Sequence, residues 1–495
     1  MSTDVSAPQP FSGWSANPLA WRGRWMGLDK NPAIVAFAQT WPGILLMHAA
    51  LLGCLAAMPI LRLNHVALVA VSLALCMQFP TRRLAILGLT GTAYFLLRPF
   101  KTGPLYDQFE ASLGVGHSAI LSNLALVGFG LAFVAFAYAM IINMRTKRIA
   151  FVANQPFAFM VFIMTLLTAL TLALPTDGWA FAAAWIALAY LASTCFFLGY
   201  ILMDVRTKNP APLGTQIGFL RPFWAGFAPP IKGPTYILKF EAKDDEALAV
   251  SRIKAVKLAV WALTLFLIWE YGFNRGLYGE LAFPRLDALI NATANGEASS
   301  IFLRWAAVGV DFMAVVVFMG AAVHATVATI RMAGFNIPRG MARPLASRSI
   351  AEFWGRYLFY FKEMLVDFFF YPAFRRFFKS RPKLRMAFAT FCAAFIGNIL
   401  FDLIHVLPLM ASEGFWVIME RYVSYALYAG IMTIGIIWSQ LATKPKPEDG
   451  WFRYDVLPRV QVIGFFALLQ VIDDSFGDAP VADRLAYYGS LVGVM

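Results

Sequence analysis

The chain has 495 residues, of which 60% are hydrophobic and only 14% are charged. Soluble domains carry about 25% charged residues, so this deficit excludes an ordinary soluble protein and indicates a polytopic membrane protein. The net charge of +13 requires no nucleic-acid partner, because Lys and Arg concentrate in the cytoplasmic loops of membrane proteins. None of the four cysteines belongs to a CxxC pair, so we expect neither a disulfide framework nor a metal site.

Continuous apolar runs predict an all-α fold with roughly eleven or twelve membrane helices, since a crossing helix needs about 20 residues. The chain divides into N-terminal membrane helices (1–203), a cytoplasmic or re-entrant segment (204–257), a core with the candidate site (258–410) and C-terminal membrane helices (411–495). The apolar runs cover residues 42–61, 66–79, 84–97, 118–144, 151–174, 179–203, 258–273, 301–330, 386–410, 415–441, 456–471 and 485–495.

The segment 204–257 interrupts this pattern, because its first half is too rich in Pro and Gly for a regular span. This first half also contains four large aromatic residues, which are common at membrane interfaces. We expect this half either to touch the interface or to enter the protein as a re-entrant loop. The aromatic residues are Phe219, Phe223, Trp224 and Phe227.

The distribution of Lys and Arg orients the chain. The basic stretches 145–148, 206–257, 331–385 and 444–459 alternate consistently with the predicted spans when all four lie on one side. By the positive-inside rule that side is the cytoplasm, and the same arrangement of spans puts the N-terminus there. A helix rises about 1.5 Å per residue, so His405 lies roughly 30 Å beyond the basic stretch, in the outer half of the membrane.

One span carries a single polar stripe. Asn398, Asp402 and His405 fall within about 60° of one another on a helix whose other faces are apolar. A histidine beside a carboxylate or an amide is suited to act as a general base. Alternatively, the same three residues form a hydrogen-bonded seam between helices. The sequence alone leaves both interpretations open.

Residues 347–376 interleave aromatic and charged side chains. This pattern is typical of an amphipathic helix at the membrane interface, and equally of a helix that lines a polar cavity. The candidate substrate-binding residues are Trp354, Arg356, Tyr357, Lys362 and Asp367.

The basic residues of 375–385 suit either the phosphates of a nucleotide-bearing donor or lipid headgroups. The sequence has no GxxxxGK[ST] phosphate loop, so it does not indicate an ATPase. Membrane lipids are the other expected partner of this region.

Three features in series resemble the membrane-bound O-acyltransferase (MBOAT) family. They are the run GFNIPRGMARPLASRSIAEFWGRY, the run LVDFFFYP, and a lone histidine in the next span. The resemblance covers roughly residues 311–408. It is strongest to the bacterial branch of alginate O-acetyltransferases and teichoic-acid D-alanyl transferases. It implies a helical fold around a tunnel or funnel in the bacterial inner membrane, with no bound cofactor.

The resemblance also implies roles for single residues. The family's histidine maps to His405. Its polar partner in the bacterial branch is commonly the last residue of an FWxRWH-like motif, and this sequence has Leu358 there. The resemblance is therefore to a divergent member in which Asn398, Asp402 or Asp367 takes that role.

Two functions follow from these observations. The first is an O-acyltransferase that moves an acyl group, expected to be acetyl, from acyl-CoA to a hydroxyl of an envelope glycan or lipid-linked acceptor. The branch that this chain resembles also suggests an extracytoplasmic acetyl-relay protein as a partner. The second is a transporter or flippase with the polar stripe as a relay. Transporters usually contain internal repeats, and this sequence has none that we recognise.

Overall fold

The structure is a computed structural model that describes residues 18–58, 62–97, 109, 111–113, 119–176, 178–226, 230–297, 299–443, 445–473 and 479–494. These residues are mostly helical and form no strand, apart from one isolated antiparallel bridge between Glu241 and Phe335. The predicted all-α membrane fold is therefore confirmed.

Helices are numbered along the described residues. They are α1 Pro18–Gly27, α2 Pro32–Gln39, α3 Trp41–Ala56, α4 Leu63–Gln78, α5 Arg83–Leu97, α6 Ala119–Thr146, α7 Ala150–Asn154, α8 Pro156–Ala173, α9 Trp179–Val205, α10 Leu213–Gly218, α11 Pro234–Leu238, α12 Asp245–Leu267, α13 Leu286–Ala294, α14 Ile301–Met332, α15 Ile350–Tyr357, α16 Phe359–Leu365, α17 Tyr371–Arg376, α18 Pro382–Phe391, α19 Asn398–Val406, α20 Met410–Glu413, α21 Phe415–Leu441, α22 Leu457–Leu469 and α23 Val481–Leu491. Wider π-helical turns occupy Ile268–Glu280, Val366–Phe370, Cys392–Gly397 and Phe452–Val456.

Six helices of the described chain are long and apolar enough to cross a membrane, or up to eight if two bent pairs each count as one span. The pairs α2–α3 and α4–α5 bend by 93° and 118°. This number is lower than the eleven or twelve expected, because several short apolar runs had each been counted as a span. The six are Ile120–Thr146, Pro156–Ala173, Trp179–Val205, Ile301–Met332, Pro382–Leu409 and Phe415–Leu441.

Helix α9 is the central helix of the fold. Protein buries 83% of its most apolar window, as expected for a helix that is hydrophobic on every face. Trp185 and Tyr190 on this helix are fully buried. One hydrophobic core runs from Leu51 to Ile404, and a second joins Leu286 to Leu491. The four chain segments defined from the sequence thus share their cores.

The Pro- and Gly-rich part of 204–257 lies inside the protein. Phe219 and Trp224 are at most 1% exposed, and α10 packs against α5. The contact is close because glycines face each other. A Cβ added at Gly88 would come within 2.7 Å of the Gly218 carbonyl carbon.

Candidate functional site

The polar stripe on α19 faces helix α21. The Tyr425 hydroxyl donates to Asn398 Oδ1 at 2.9 Å, and the Tyr422 hydroxyl donates to Asp402 Oδ2 at 2.7 Å. Asn398 is only 3% exposed, so its tyrosine partner satisfies an otherwise costly buried amide. For these two residues, the contacts are those of a hydrogen-bonded seam between helices.

His405 has different surroundings. Its Nδ1 lies 2.6 Å from the backbone carbonyl oxygen of Phe401. A carbonyl can only accept, so Nδ1 carries the proton, and the neutral ring keeps its free electron pair on Nε2. No hydrogen bond to Nε2 occurs among the described residues, and the side chain is exposed. Nε2 therefore has a free electron pair that can accept a proton.

Asp402 is one of three candidates for the polar partner of His405, and the hydrogen bond that the structure gives the His405 ring is to the Phe401 carbonyl. The carboxylate accepts from Tyr422, although its charge still acts on the His405 ring. The reason is local geometry. On a helix, a histidine readily reaches the carbonyl four residues earlier, whereas a side chain three residues earlier needs a matching rotamer.

A second charged cluster lies where the segment 204–257 meets α16. Lys232 Nζ is 2.8 Å from Glu363 and 2.9 Å from Asp367. The Tyr200 hydroxyl donates to the same Asp367 oxygen at 2.9 Å. We call Tyr200, Lys232, Glu363 and Asp367 the Lys232 cluster. The side chains of Lys232, Glu363 and Asp367 are 15–19% exposed, so their charges depend on one another for compensation.

The Lys232 cluster also constrains the backbone. Lys232 has φ = 50°, in the left-handed region that non-glycine residues rarely adopt. Burial alone would lower the pKa of Lys232, but hydrogen bonds to Glu363 and Asp367 outweigh burial and raise that pKa above its ordinary value of 10.5. The lysine is therefore a fixed cation at neutral pH.

We expect this cluster to stabilise the fold only while Glu363 is ionised. Burial raises the pKa of Glu363, but hydrogen bonds from Lys232 and Lys362 outweigh burial and hold the pKa below its ordinary value of 4.5. Such a carboxyl stabilises the folded state above its unfolded pKa, and the stabilisation is lost as the pH falls through the lowered value. The wild-type melting temperature in detergent should decline below about pH 4.5, with a smaller decline in Glu363→Gln. Equal declines would contradict this role.

Aromatic rings connect the two sites. Phe368 contacts Tyr200 of the Lys232 cluster at a centroid distance of 5.0 Å, and Phe196 at 5.6 Å. Phe196 in turn contacts Phe401 at 5.3 Å, and Phe401 contacts the His405 ring at 4.5 Å. These ring contacts form a continuous series from the Lys232 cluster to His405.

The remaining sequence candidates separate into two groups. Lys362 forms an ion pair with Glu363 and so adjoins the Lys232 cluster, which contains Asp367. The candidates on α15 form other contacts, and none of their described contacts reaches His405. Trp354 packs on Phe361 at 6.0 Å, Arg356 pairs with Glu352 at 2.6 Å, and Tyr357 stacks on Phe353 at 5.3 Å.

Sequence reasoning did not assign Tyr200, Lys232, Tyr422 or Tyr425 to the site. The two tyrosines on α21 belong to a series with a spacing of three residues that continues to Tyr428, and this places them on one helix face. That spacing was the available signal. The sequence shows no comparable pattern for Lys232, whose partner Asp367 is 135 residues away.

No protein-family model matches this chain, and no curated protein matches it. The resemblance to the MBOAT family therefore rests on the residues of 311–408 alone. The described residues contain no group of three or more His, Cys, Asp or Glu side chains that could hold a metal ion.

Proposed function

We propose that this protein is an O-acyltransferase of the bacterial inner membrane, with its N-terminus in the cytoplasm. It moves an acetyl group from acetyl-CoA to a hydroxyl of an envelope glycan or lipid-linked acceptor. The observation that carries this proposal is the hydrogen bond from His405 Nδ1 to the Phe401 carbonyl, which leaves Nε2 basic and accessible.

The proposed reaction uses that nitrogen as a general base. Nε2 takes the proton of the acceptor hydroxyl while the oxygen attacks the thioester carbonyl carbon. The tetrahedral intermediate collapses, the carbon–sulfur bond breaks, and the imidazolium returns its proton to the coenzyme A thiolate. An ester and a free thiol are the products, with no covalent enzyme intermediate.

The cationic surface beside α17 and α18 suits the donor. Six Lys and Arg side chains lie on this short stretch, mostly exposed, where the phosphates of coenzyme A can bind. By the positive-inside rule this surface faces the cytoplasm, where acyl-CoA is made. The residues are Arg375, Arg376, Lys379, Arg381, Lys383 and Arg385.

The test is transfer of labelled acetyl groups by the purified protein in proteoliposomes. Acetyl-CoA with a radiolabelled acetyl group is supplied outside, with glycan or lipid-linked acceptors on either side. We expect a labelled ester that alkali releases as acetate. Movement of an acceptor across the membrane without any labelled ester would overturn the proposal and favour the alternative of a transporter or flippase.

Asp402→Asn is expected to slow transfer by about tenfold in kcat, with KM nearly unchanged. The carboxylate is near enough for its charge to act on His405, so it favours the imidazolium that forms during the reaction. Losing a contribution of about 1.4 kcal/mol corresponds to that factor. Tyr422→Phe, which removes the hydrogen bond but keeps the charge, is the control. If the two variants have equal rates, Asp402 has only a structural role.

A further inference from the structure

A second site is a cavity of about 200 Å³ between α13, α14 and the C-terminal helices, with an apolar lining that carries several polar side chains. Its lining includes Asp311, Asp287 and Gln470, together with the aromatic side chains of Trp269 and Tyr278. The loop 274–300 contributes to the lining and carries few basic residues, so the positive-inside rule places the cavity on the side opposite the cationic surface.

Several polar groups of the lining lack partners. Gln470 is only 8% exposed, and its side-chain amide forms no hydrogen bond with any described residue. The Tyr278 hydroxyl oxygen is buried, and no residue that the structure describes forms a hydrogen bond with it. The Asp311 carboxylate, within a membrane helix, forms neither an ion pair nor a hydrogen bond in the described part of the chain. Buried polar groups are usually satisfied, so the buried Tyr278 hydroxyl, together with the Gln470 and Asp311 side chains that lack a described partner on the same cavity, indicates a polar ligand.

The charges of the lining restrict that ligand. Three carboxylates, those of Asp287, Asp311 and Asp473, face two arginines. Arg484 is 3% exposed and donates to the backbone carbonyls of Ala479, Val471 and Asp473, so its donors are largely occupied. Three carboxylates against two guanidinium groups give the lining a net negative charge when all are ionised, which opposes a phosphate or carboxylate group.

The aromatic side chains of the cavity lining provide an apolar surface for the ligand. Trp269 packs on Phe318 at 4.7 Å, and Arg285 stacks over the Tyr278 ring at 4.3 Å. A flat apolar face beside carboxylate, amide and hydroxyl groups matches a ligand with C–H faces and many hydroxyls. We infer that this cavity binds an uncharged sugar unit. The inference rests on the proposed function in that this sugar is part of the acceptor.

A row of tyrosines on α21 links the cavity to the His405 helix. Tyr428 lies within electrostatic range of Asp473 in the cavity lining and stacks on Tyr425 at 6.0 Å. Tyr425 in turn donates to Asn398. Tyr428, near the cavity, and Tyr425, the partner of Asn398, therefore lie on the same helix.

The test is direct binding of glucose, galactose, mannose and glucuronate to the full-length protein in detergent, by titration calorimetry without acyl donor. We expect saturable binding of at least one neutral sugar, and binding of glucuronate about tenfold weaker or absent. Asp311→Asn and Gln470→Leu should each weaken neutral-sugar binding by about tenfold. Glu297→Gln, an exposed carboxylate on the same loop but outside the lining, should bind like the wild type.

Three results would overturn the inference: no neutral sugar binds, glucuronate binds equally well, or Asp311→Asn and Gln470→Leu bind normally. Asp311-dependent binding of ammonium ions alone would also overturn it and identify a cation site. Because no acyl donor is present, sugar binding without acetyl transfer would count against the proposed function only. Acetyl transfer without sugar binding would count against this inference only.

Discussion

His405→Ala is expected to lower kcat/KM for acetyl transfer by about 100- to 10,000-fold, the usual contribution of a general base. The side chain is exposed, and its Nδ1 is held by the Phe401 carbonyl, so the change removes the base without opening a core cavity. The melting temperature should therefore stay near that of the wild type. The measurement is initial rates of labelled ester formation in proteoliposomes, with melting curves of the same preparations.

His48 offers a matched control. Its Nδ1 forms the same kind of bond, 2.7 Å from the carbonyl of Ile44 four residues earlier, but the side chain is only 6% exposed and lies on α3. His48→Gln should keep the transfer rate, whatever it does to stability. A His405→Ala enzyme that transfers acetyl at the wild-type rate would remove His405 from the mechanism.

The second large effect concerns stability. Lys232→Met is expected to lower the free energy of unfolding by about 3–5 kcal/mol, because it leaves two mostly buried carboxylates without their shared cation. Glu363 retains Lys362, whereas Asp367 retains, among the described residues, only the Tyr200 hydroxyl. The measurement is thermal or denaturant unfolding in detergent at neutral pH.

A variant that neutralises both the lysine and its two carboxylate partners provides the control for this prediction. The triple variant Lys232→Met, Glu363→Gln, Asp367→Asn should recover much of the loss, since neutral groups are cheaper to bury than unpaired ions. Lys243→Met, at an exposed lysine further along the same segment, should have little effect. If Lys232→Met and Lys243→Met unfold alike, the Lys232 cluster contributes nothing measurable.

How far a feature could be predicted from the sequence depends on how far apart in the chain the interacting residues lie. Local helical geometry predicted that Asn398, Asp402 and His405 share one helix face. In the structure the first two bond to tyrosines of α21, whereas the His405 ring contacts Phe401. The hydrogen-bond partner of the His405 ring, the Phe401 carbonyl, was not among the candidates drawn from the sequence, although it lies four residues earlier on the same helix. Side-chain periodicity shows which residues share a face, but not which hydrogen bond a rotamer selects.

The membrane helix count shows a related limit. Apolar runs such as 66–79 and 84–97 were counted as two spans. The structure joins them as α4 and α5 across a 118° bend, so the two helices count together as one broken span at most. Hydropathy shows that a run is apolar. Whether that run crosses the membrane as one straight helix depends on the helices packed around it.

By itself, the sequence determined that this is an all-α membrane protein, and it singled out the helix that carries His405. These features follow from composition and from the periodicity of single helices. Only the tertiary structure revealed the Lys232 cluster, the tyrosine partners on α21 and the cavity lined by Asp311. Each of these joins residues far apart in the chain, so only packing brings them together. The buried polar groups at both sites then become informative, because low-polarity surroundings make every unpaired donor or acceptor costly.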